Sequence, residues 1–222
     1  MARSLRSHEQ LSRPRIRRSM AAVLRSAPED QMKTLYLIRH SLTEANEKRL
    51  YCGHTDLSLT ENGRAHALSC AKQHPLPALE SYATSGMKRA DETLLLLTGI
   101  SSREVIPGLM EMNFGAFEMH SYEQLLNDPD YIRWIEDNTG DIACPGGESA
   151  NGFKKRVTEC ADAIIARPSE SLLIVCHGGV IANIMQYWFP GENKNFYQWQ
   201  PGACEGYAIE IACGKPARYA VL

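Results

Sequence analysis

The chain has 222 residues, 44% of them hydrophobic, and a formal charge of −2. That length suits one α/β domain with a sizeable core plus some excess chain, the charge gives no reason to expect nucleic acid or anionic lipid as a partner, and no run of about 18 apolar residues is present to span a membrane. The seven cysteines (52, 70, 144, 160, 176, 204 and 213) contain no Cys-x-x-Cys pair, and Cys160 and Cys176 fall in apolar patterns. They read as reduced thiols of a cytoplasmic protein, and not as a disulfide framework or a zinc site. No His-Glu-x-x-His or carboxylate cluster suggests a catalytic metal.

Residues 1–31 hold seven Arg, no Lys and three acids, a formal +4, which leaves −6 for the remainder. The longest apolar piece here is Met20–Leu24, too short for a secretory signal. This stretch is expected to be a disordered basic extension, an overcalled start being favoured over a transit peptide. The folded domain is placed at 32–222, beginning at Met32-Lys33. Leu35, Leu37 and Ile38 around Tyr36 form a short buried strand that runs straight into Arg39-His40. Ala45–Asp56 is a polar loop. Thr60 caps a helix with Ala65, Leu68 and Ala71 at helical spacing, ended by Pro75 and Pro77.

A strand at Ser81–Thr84 follows, then a helix with Met87, Ala90, Leu94 and Leu97 on one face. Val105-Ile106 is a further strand, Leu109–Phe117 is irregular, and Ser121–Asp137 is one or two helices broken near Pro129. Ser149 caps a long helix through Phe153, Val157, Cys160, Ala161 and Ile164. Leu172–Cys176 is the strongest buried strand, and His177-Gly178-Gly179 turns it into the helix Val180–Trp188. Strands near Tyr207–Ile211 and Tyr219–Val221 complete the sheet. The alternation predicts a three-layer α/β/α sandwich on a mostly parallel sheet.

Strand ends and the turns after them carry Arg39-His40, Arg89, Glu111 and His177. In open α/β sheets that edge is where ligands bind. Arginine forks hold two phosphate oxygens together, and helix starts favour anions. Gly178-Gly179 permit close backbone approach. Two arginines, two histidines and an acid suit a phosphate monoester dianion without a metal. One neutral imidazole can attack phosphorus, and Glu111 is the obvious proton donor to the leaving alkoxide and base toward water.

Arg39-His40-Ser-x-Thr-x-x-Asn46, Tyr-Cys-Gly-x-x-Asp-x-Ser-Leu-Thr-x-x-Gly63, Thr84-Ser85-x-x-x-Arg89-Ala90-x-x-Thr93, Leu109-x-Glu111-x-Asn-Phe-Gly115-x-Phe-Glu118, Pro145-Gly-Gly-Glu-Ser149 and Val175-Cys-His177-Gly-Gly occur in that order. Together they resemble the histidine phosphatase superfamily, the phosphoglycerate-mutase-like enzymes. The resemblance implies a metal-independent phosphatase without a cofactor, in which His40 is the phosphorylated nucleophile and Glu111 the acid/base. It places Arg39, Asn46, Arg89 and His177 around the phosphate, with Cys52, Gly53 and Gly178 at the substrate. The Phe-Gly-x-Phe-Glu run resembles the phosphatase branch, in particular α-ribazole phosphatase-like proteins of cobalamin synthesis. A small-molecule phosphate ester is the partner so implied.

Two departures stand out: Ser41 where the family has Gly, and Cys52 where it has a small polar residue. If position 41 needs positive φ, Ser costs roughly 1 kcal/mol; if only its carbonyl matters, Ser serves as well. His54, His66, His74 and His120 read as surface or satisfied histidines. Two alternatives stay open, a phosphoglycerate-type mutase and an inactive phosphate-binding protein. The first lacks an extra basic cluster for a substrate carboxylate, and intact His40 and Glu111 argue against the second. No signal for an oligomeric state is present.

Overall fold

Strand β1, Lys33–Arg39, alternates its burial: Leu35 and Leu37 enter one core, Ile38 and Tyr36 the other. The computed structural model describes residues 32–222; the expectation for 1–31 lies outside them. The further strands are β2 (Ser81–Thr84), β3 (Glu104–Val105), β4 (Ser171–Cys176), β5 (Gly206–Ala212) and β6 (Lys215–Val221). They form one sheet in the order β3-β2-β4-β1-β5-β6. The pairings β1–β4, β2–β4 and β2–β3 are parallel, whereas β1–β5 and β5–β6 are antiparallel. The mostly parallel α/β/α sandwich is therefore observed, with an antiparallel edge that the weak terminal strands supply.

Strand β4 is buried on both faces, as its unbroken apolar run requires at the centre of a parallel sheet. Leu172, Ile174 and Cys176 point to one side with Phe153, Val157, Ala161 and Ile164 of the long helix Ala150–Ile165. Leu173 and Val175 point to the other, with Ala90 and Leu94 of the helix Lys88–Thr98. Ser149 caps the long helix by accepting from the Gly152 N–H.

The helix Glu61–Gln73 differs from its expected face. Its buried residues are Gly63 and Ala67, while Leu68 is exposed. Small residues win because this face lies against backbone: a Cβ at Gly63 would stand 2.1 Å from the Leu42 carbonyl oxygen. Thr60 caps the helix by accepting from Gly63 N–H at 3.0 Å. The expected loop after β1 contains one helical turn, Glu44–Glu47, closed by a capping box between Thr43 and Asn46. The Ser121–Asp137 region divides into Tyr122–Leu125 and Pro129–Ile135, with Pro129 at the start of the second, where its missing N–H costs nothing. Among the described residues no helix is long and apolar enough to cross a membrane.

Candidate active site

Parallel pairing places Arg39 opposite Cys176. The next residue on each strand is a histidine, so His40 and His177 meet at one sheet edge with ring centroids 5.1 Å apart and planes at 65°. His40 N–H donates to the Cys176 carbonyl at 2.9 Å, which ties the two turns together. Both rings are buried.

His40 Nδ1 lies 2.6 Å from the Ser41 carbonyl oxygen. That acceptor requires the proton on Nδ1 and leaves the Nε2 lone pair free. Burial, then the Arg89 and Arg39 charges, lower the pKa of the ring to about 3. Ser41 is absent from the residues with positive φ. Its carbonyl is what the site uses, so Ser here carries no backbone strain. Ser41 N–H donates to Thr93 Oγ1 at 2.9 Å, which holds the loop on the helix Lys88–Thr98.

His177 is held differently. Its Nε2 is 2.8 Å from Ser85 Oγ, and Nδ1 is buried with no hydrogen-bond partner. Ser85 Oγ already accepts from Met87 N–H. With the hydroxyl proton given to Nε2, the imidazole proton sits on Nδ1 as an unused donor. Burial, followed by repulsion from Arg89 and His40, holds this ring neutral as well.

Arg89 is 1% exposed, yet two of its donors are spent on carbonyls of one loop, Thr55 at 2.9 Å and Gly53 at 2.7 Å. Arg39 donates to the Pro201 carbonyl at 2.9 Å and lies against Gly178. Neither guanidinium is in an ion pair among the described residues. The site therefore holds two cations, buried enough that desolvation lowers both their pKa values, and no carboxylate pairs with them. A dianion fits that imbalance.

Glu111 Oε1 accepts from Met112 N–H at 3.0 Å and Oε2 from Gly179 N–H at 2.9 Å. Burial raises the pKa of its carboxyl against the opposing pull of those bonds and of the arginines. Gly179 is needed for this contact: a Cβ there would stand 2.5 Å from Oε1. The second glycine of the pair thus makes room for the carboxylate.

The remaining expected residues are placed less directly. The Asn46 Oδ1 is occupied by Thr43 N–H and Oγ1 donors at 3.0 and 2.9 Å, leaving its amide nitrogen as the available group. The Cys52 thiol lies 3.5 Å from the Thr55 carbonyl. Gly53 contributes its carbonyl to Arg89 and sits against the Met112 carbonyl, where no side chain fits. Glu118 accepts from His54 N–H, Thr55 N–H and Phe114 N–H, and so clamps two loops together. Metal-ligating side chains gather in one place among the described residues, at His66, Cys70 and Cys204, beside the Ser41 turn after β1.

The family model described as the histidine phosphatase superfamily (branch 1) matches residues 35–219. The chain belongs to that superfamily. An adenosylcobalamin/alpha-ribazole phosphatase of Salmonella typhimurium is 30% identical over 189 residues, covering 78% of this chain and 92% of the relative. A broad-specificity phosphatase of Saccharomyces cerevisiae is 30% identical over 178 residues, covering 74% and 73%. The crystal structure of the alpha-ribazole phosphatase from Shigella flexneri matches with a TM-score of 0.76 at 26% identity, covering 85% of this chain and 95% of that one.

Two groups position this histidine phosphatase's site in ways that sequence did not assign: Arg156, which was not singled out, and Ser85, which was quoted in a motif but given no role. Arg156, on the long helix, donates to the carbonyls of Gly108 and Met110 at 2.9 Å and pairs with Glu148 at 2.7 Å. It holds the loop that delivers Glu111. Ser85 Oγ stands 2.8 Å from His177 Nε2 and holds the ring by it. A lone Arg mid-helix carries no local signal that distinguishes it from a surface residue, and a Ser in a motif does not show which ring its hydroxyl meets.

The buried neutral rings make stability depend on pH. His40 takes its proton at about 3 when folded and at 6.5 as a free imidazole. Between those values the unfolded chain binds more protons, so stability falls as pH falls. From 6.5 down to about pH 5 the loss is about 1.5 kcal/mol for such a ring. His177 acts in the same direction, and the raised Glu111 carboxyl offsets part of the sum. Urea unfolding across that window should show the loss; a flat profile would mean that the rings charge freely in the folded protein.

Proposed function

We propose that this phosphatase cleaves small alcohol phosphates through a phosphohistidine on His40, and that its substrate has an aromatic aglycone of the α-ribazole 5′-phosphate kind. The observation that carries the mechanism is the buried, unpartnered Nδ1 of His177 beside a neutral His40 and two unpaired guanidiniums. A phosphate oxygen satisfies that donor. An empty buried polar atom is costly, and a ligand that fills it gains accordingly.

His40 Nε2 attacks phosphorus, forming N–P as the ester P–O bond breaks. Arg39, Arg89 and His177 hold the equatorial oxygens, on which the transition-state charge is spread. The protonated Glu111 carboxyl gives its proton to the leaving alkoxide. The resulting carboxylate takes a proton from water, whose oxygen attacks the phosphorus; the N–P bond breaks and its electron pair returns to Nε2. Asn46, Cys52, Gly53 and Gly178 line the substrate side, with the Asn46 amide nitrogen as a further donor.

Two half-buried aromatic groups, packed against the core and on Trp134, are taken to meet the aglycone with their exposed parts. Tyr51 and Phe114 lie 5.1 Å apart between ring centroids, Tyr51 two residues before Gly53 and Phe114 three after Glu111. Base stacking on such faces is worth about 1–3 kcal/mol, or about 10–100-fold in rate constant. A phosphate-release panel should therefore give α-ribazole 5′-phosphate a kcat/KM about 10–100-fold above phosphoserine or 3-phosphoglycerate. Equal values across the panel would remove the aromatic preference, in keeping with the broad specificity named for the yeast relative.

A further inference from the structure

The helix Glu61–Gln73 presents His66 and Cys70, one turn apart, on the face that covers the nucleophile loop. Cys204, in the turn before β5, approaches them from the far end of the chain. The metal-ligating atoms of the three lie within 4.8 Å of one another. None of the three has a place in the phosphate chemistry.

We propose that His66, Cys70 and Cys204 form a binding site for a thiophilic d¹⁰ metal ion of the zinc class. Zinc bonds of about 2.3 Å to sulfur and about 2.0–2.1 Å to nitrogen set tetrahedral ligand atoms roughly 3.3–3.8 Å apart. The His66 Nε2 to Cys70 Sγ distance is 3.7 Å, already at that spacing. Cys204 needs to close by no more than about 1 Å.

A second observation concerns the other ring nitrogen. Ser41 Oγ donates to the Gly63 carbonyl at 2.7 Å and stands 3.3 Å from His66 Nδ1. With its own proton committed, that oxygen accepts from Nδ1–H, which leaves Nε2 unprotonated. Metal-bound histidines are oriented in this way by a partner on the remaining nitrogen. Cys70 Sγ stands 4.0 Å from Nδ1 as well, beside the ring, so the imidazole has to turn for the Nε2 lone pair to share an ion with the sulfurs. Two thiols and one imidazole, without a carboxylate in the group, suit a soft or borderline ion and disfavour magnesium or calcium. His66 and Cys70 are half-buried, so an ion has a path in.

Cysteine binds such an ion as the thiolate, so binding exchanges thiol protons for the metal and they go to solvent. Water takes the fourth position. The sequence reading of the cysteines as reduced thiols without a zinc site had no spacing motif to go on, since the third ligand of the group lies 134 residues beyond the second. The site abuts Ser41, whose carbonyl orients His40. Serine in place of glycine at that position supplies the hydroxyl that holds His66.

The test uses the reduced full chain, stripped by chelator and titrated with Co²⁺. One equivalent should bind with a thiolate-to-cobalt charge-transfer band, be displaced by Zn²⁺, and release protons in proportion. Cys70→Ser and Cys204→Ser should abolish the band, whereas Cys213→Ser, at an exposed thiol outside the group, should retain it. Alkylation of the wild-type chain with and without Zn²⁺, read by mass spectrometry, avoids reliance on variant folding. Zinc should shield Cys70 and Cys204 and leave Cys213 reactive. No band at micromolar cobalt, a band that survives Cys204→Ser, or equal alkylation of all three thiols with zinc present would overturn the site.

Discussion

Replacing His40 with alanine is expected to lower turnover on the order of 10⁶-fold, the loss seen when a covalent nucleophile is removed. The geometry explains the size of the effect. His40 Nδ1–H is committed to the Ser41 carbonyl at 2.6 Å, so Nε2 is the nitrogen with a free electron pair. The ring is neutral down to about pH 3, and no base is needed to activate it. Acid quench of wild type with labelled substrate, followed by brief exposure to acid or base, should capture a phosphoenzyme that is acid-labile and base-stable. In His40→Ala the label should be missing. A labelled His40→Ala protein would move the nucleophile elsewhere, first to His177, whose ring would then have to give up the Nδ1 proton. The same variant should recover about half of the acid-induced loss of stability, since one of the two buried rings is gone.

Glu111→Gln is expected to separate the two chemical steps. Glutamine keeps the shape and can still accept from Gly179 N–H, but it cannot transfer a proton. An alkyl phosphate expels a strongly basic alkoxide, whereas a p-nitrophenyl ester expels a stabilised phenolate that scarcely needs the proton. Phosphoenzyme formation should drop by about 10²–10⁴-fold for the alkyl ester, the usual range for general acid catalysis, and far less for the phenyl ester. Hydrolysis of the phosphohistidine needs the same group as base and is blind to which ester donated. With p-nitrophenyl phosphate the variant should give a burst of phenolate followed by slow turnover. The direction of the Glu111 shift matters here: its raised pKa keeps a larger share of the carboxyl protonated near neutrality. Rapid mixing on both esters decides the point. Equal losses without a burst would mean that Glu111 positions the phosphate and another group handles the proton.

The elements were legible because their signals are local. Thr60 and Ser149 announce helix starts, Pro129 marks a break, and Leu172–Cys176 has the length and unbroken hydrophobicity of a central parallel strand. The chemistry-bearing residues could be named for a similar reason: Arg39-His40 and His177 each end a recognisable strand. What their types could do followed from charge and hydrogen-bonding capacity alone.

Tertiary structure decided what those groups meet. The register that sets Arg39 against Cys176 brings two histidines 137 residues apart to 5.1 Å. Only that packing leaves His177 Nδ1 without a partner, sets Ser85 against the His177 ring, and turns Arg156 toward the Glu111 loop. The helix Glu61–Gln73 shows the limit most plainly. Its periodicity pointed to Ala65, Leu68 and Ala71, but the loop below it approaches so closely that glycine and alanine had to face inward. That rotation turns His66 and Cys70 toward Ser41 and Cys204. Helical spacing ranks faces by hydrophobicity; which face is buried depends on how near the neighbouring backbone comes, and that distance is set by contacts far away in the chain.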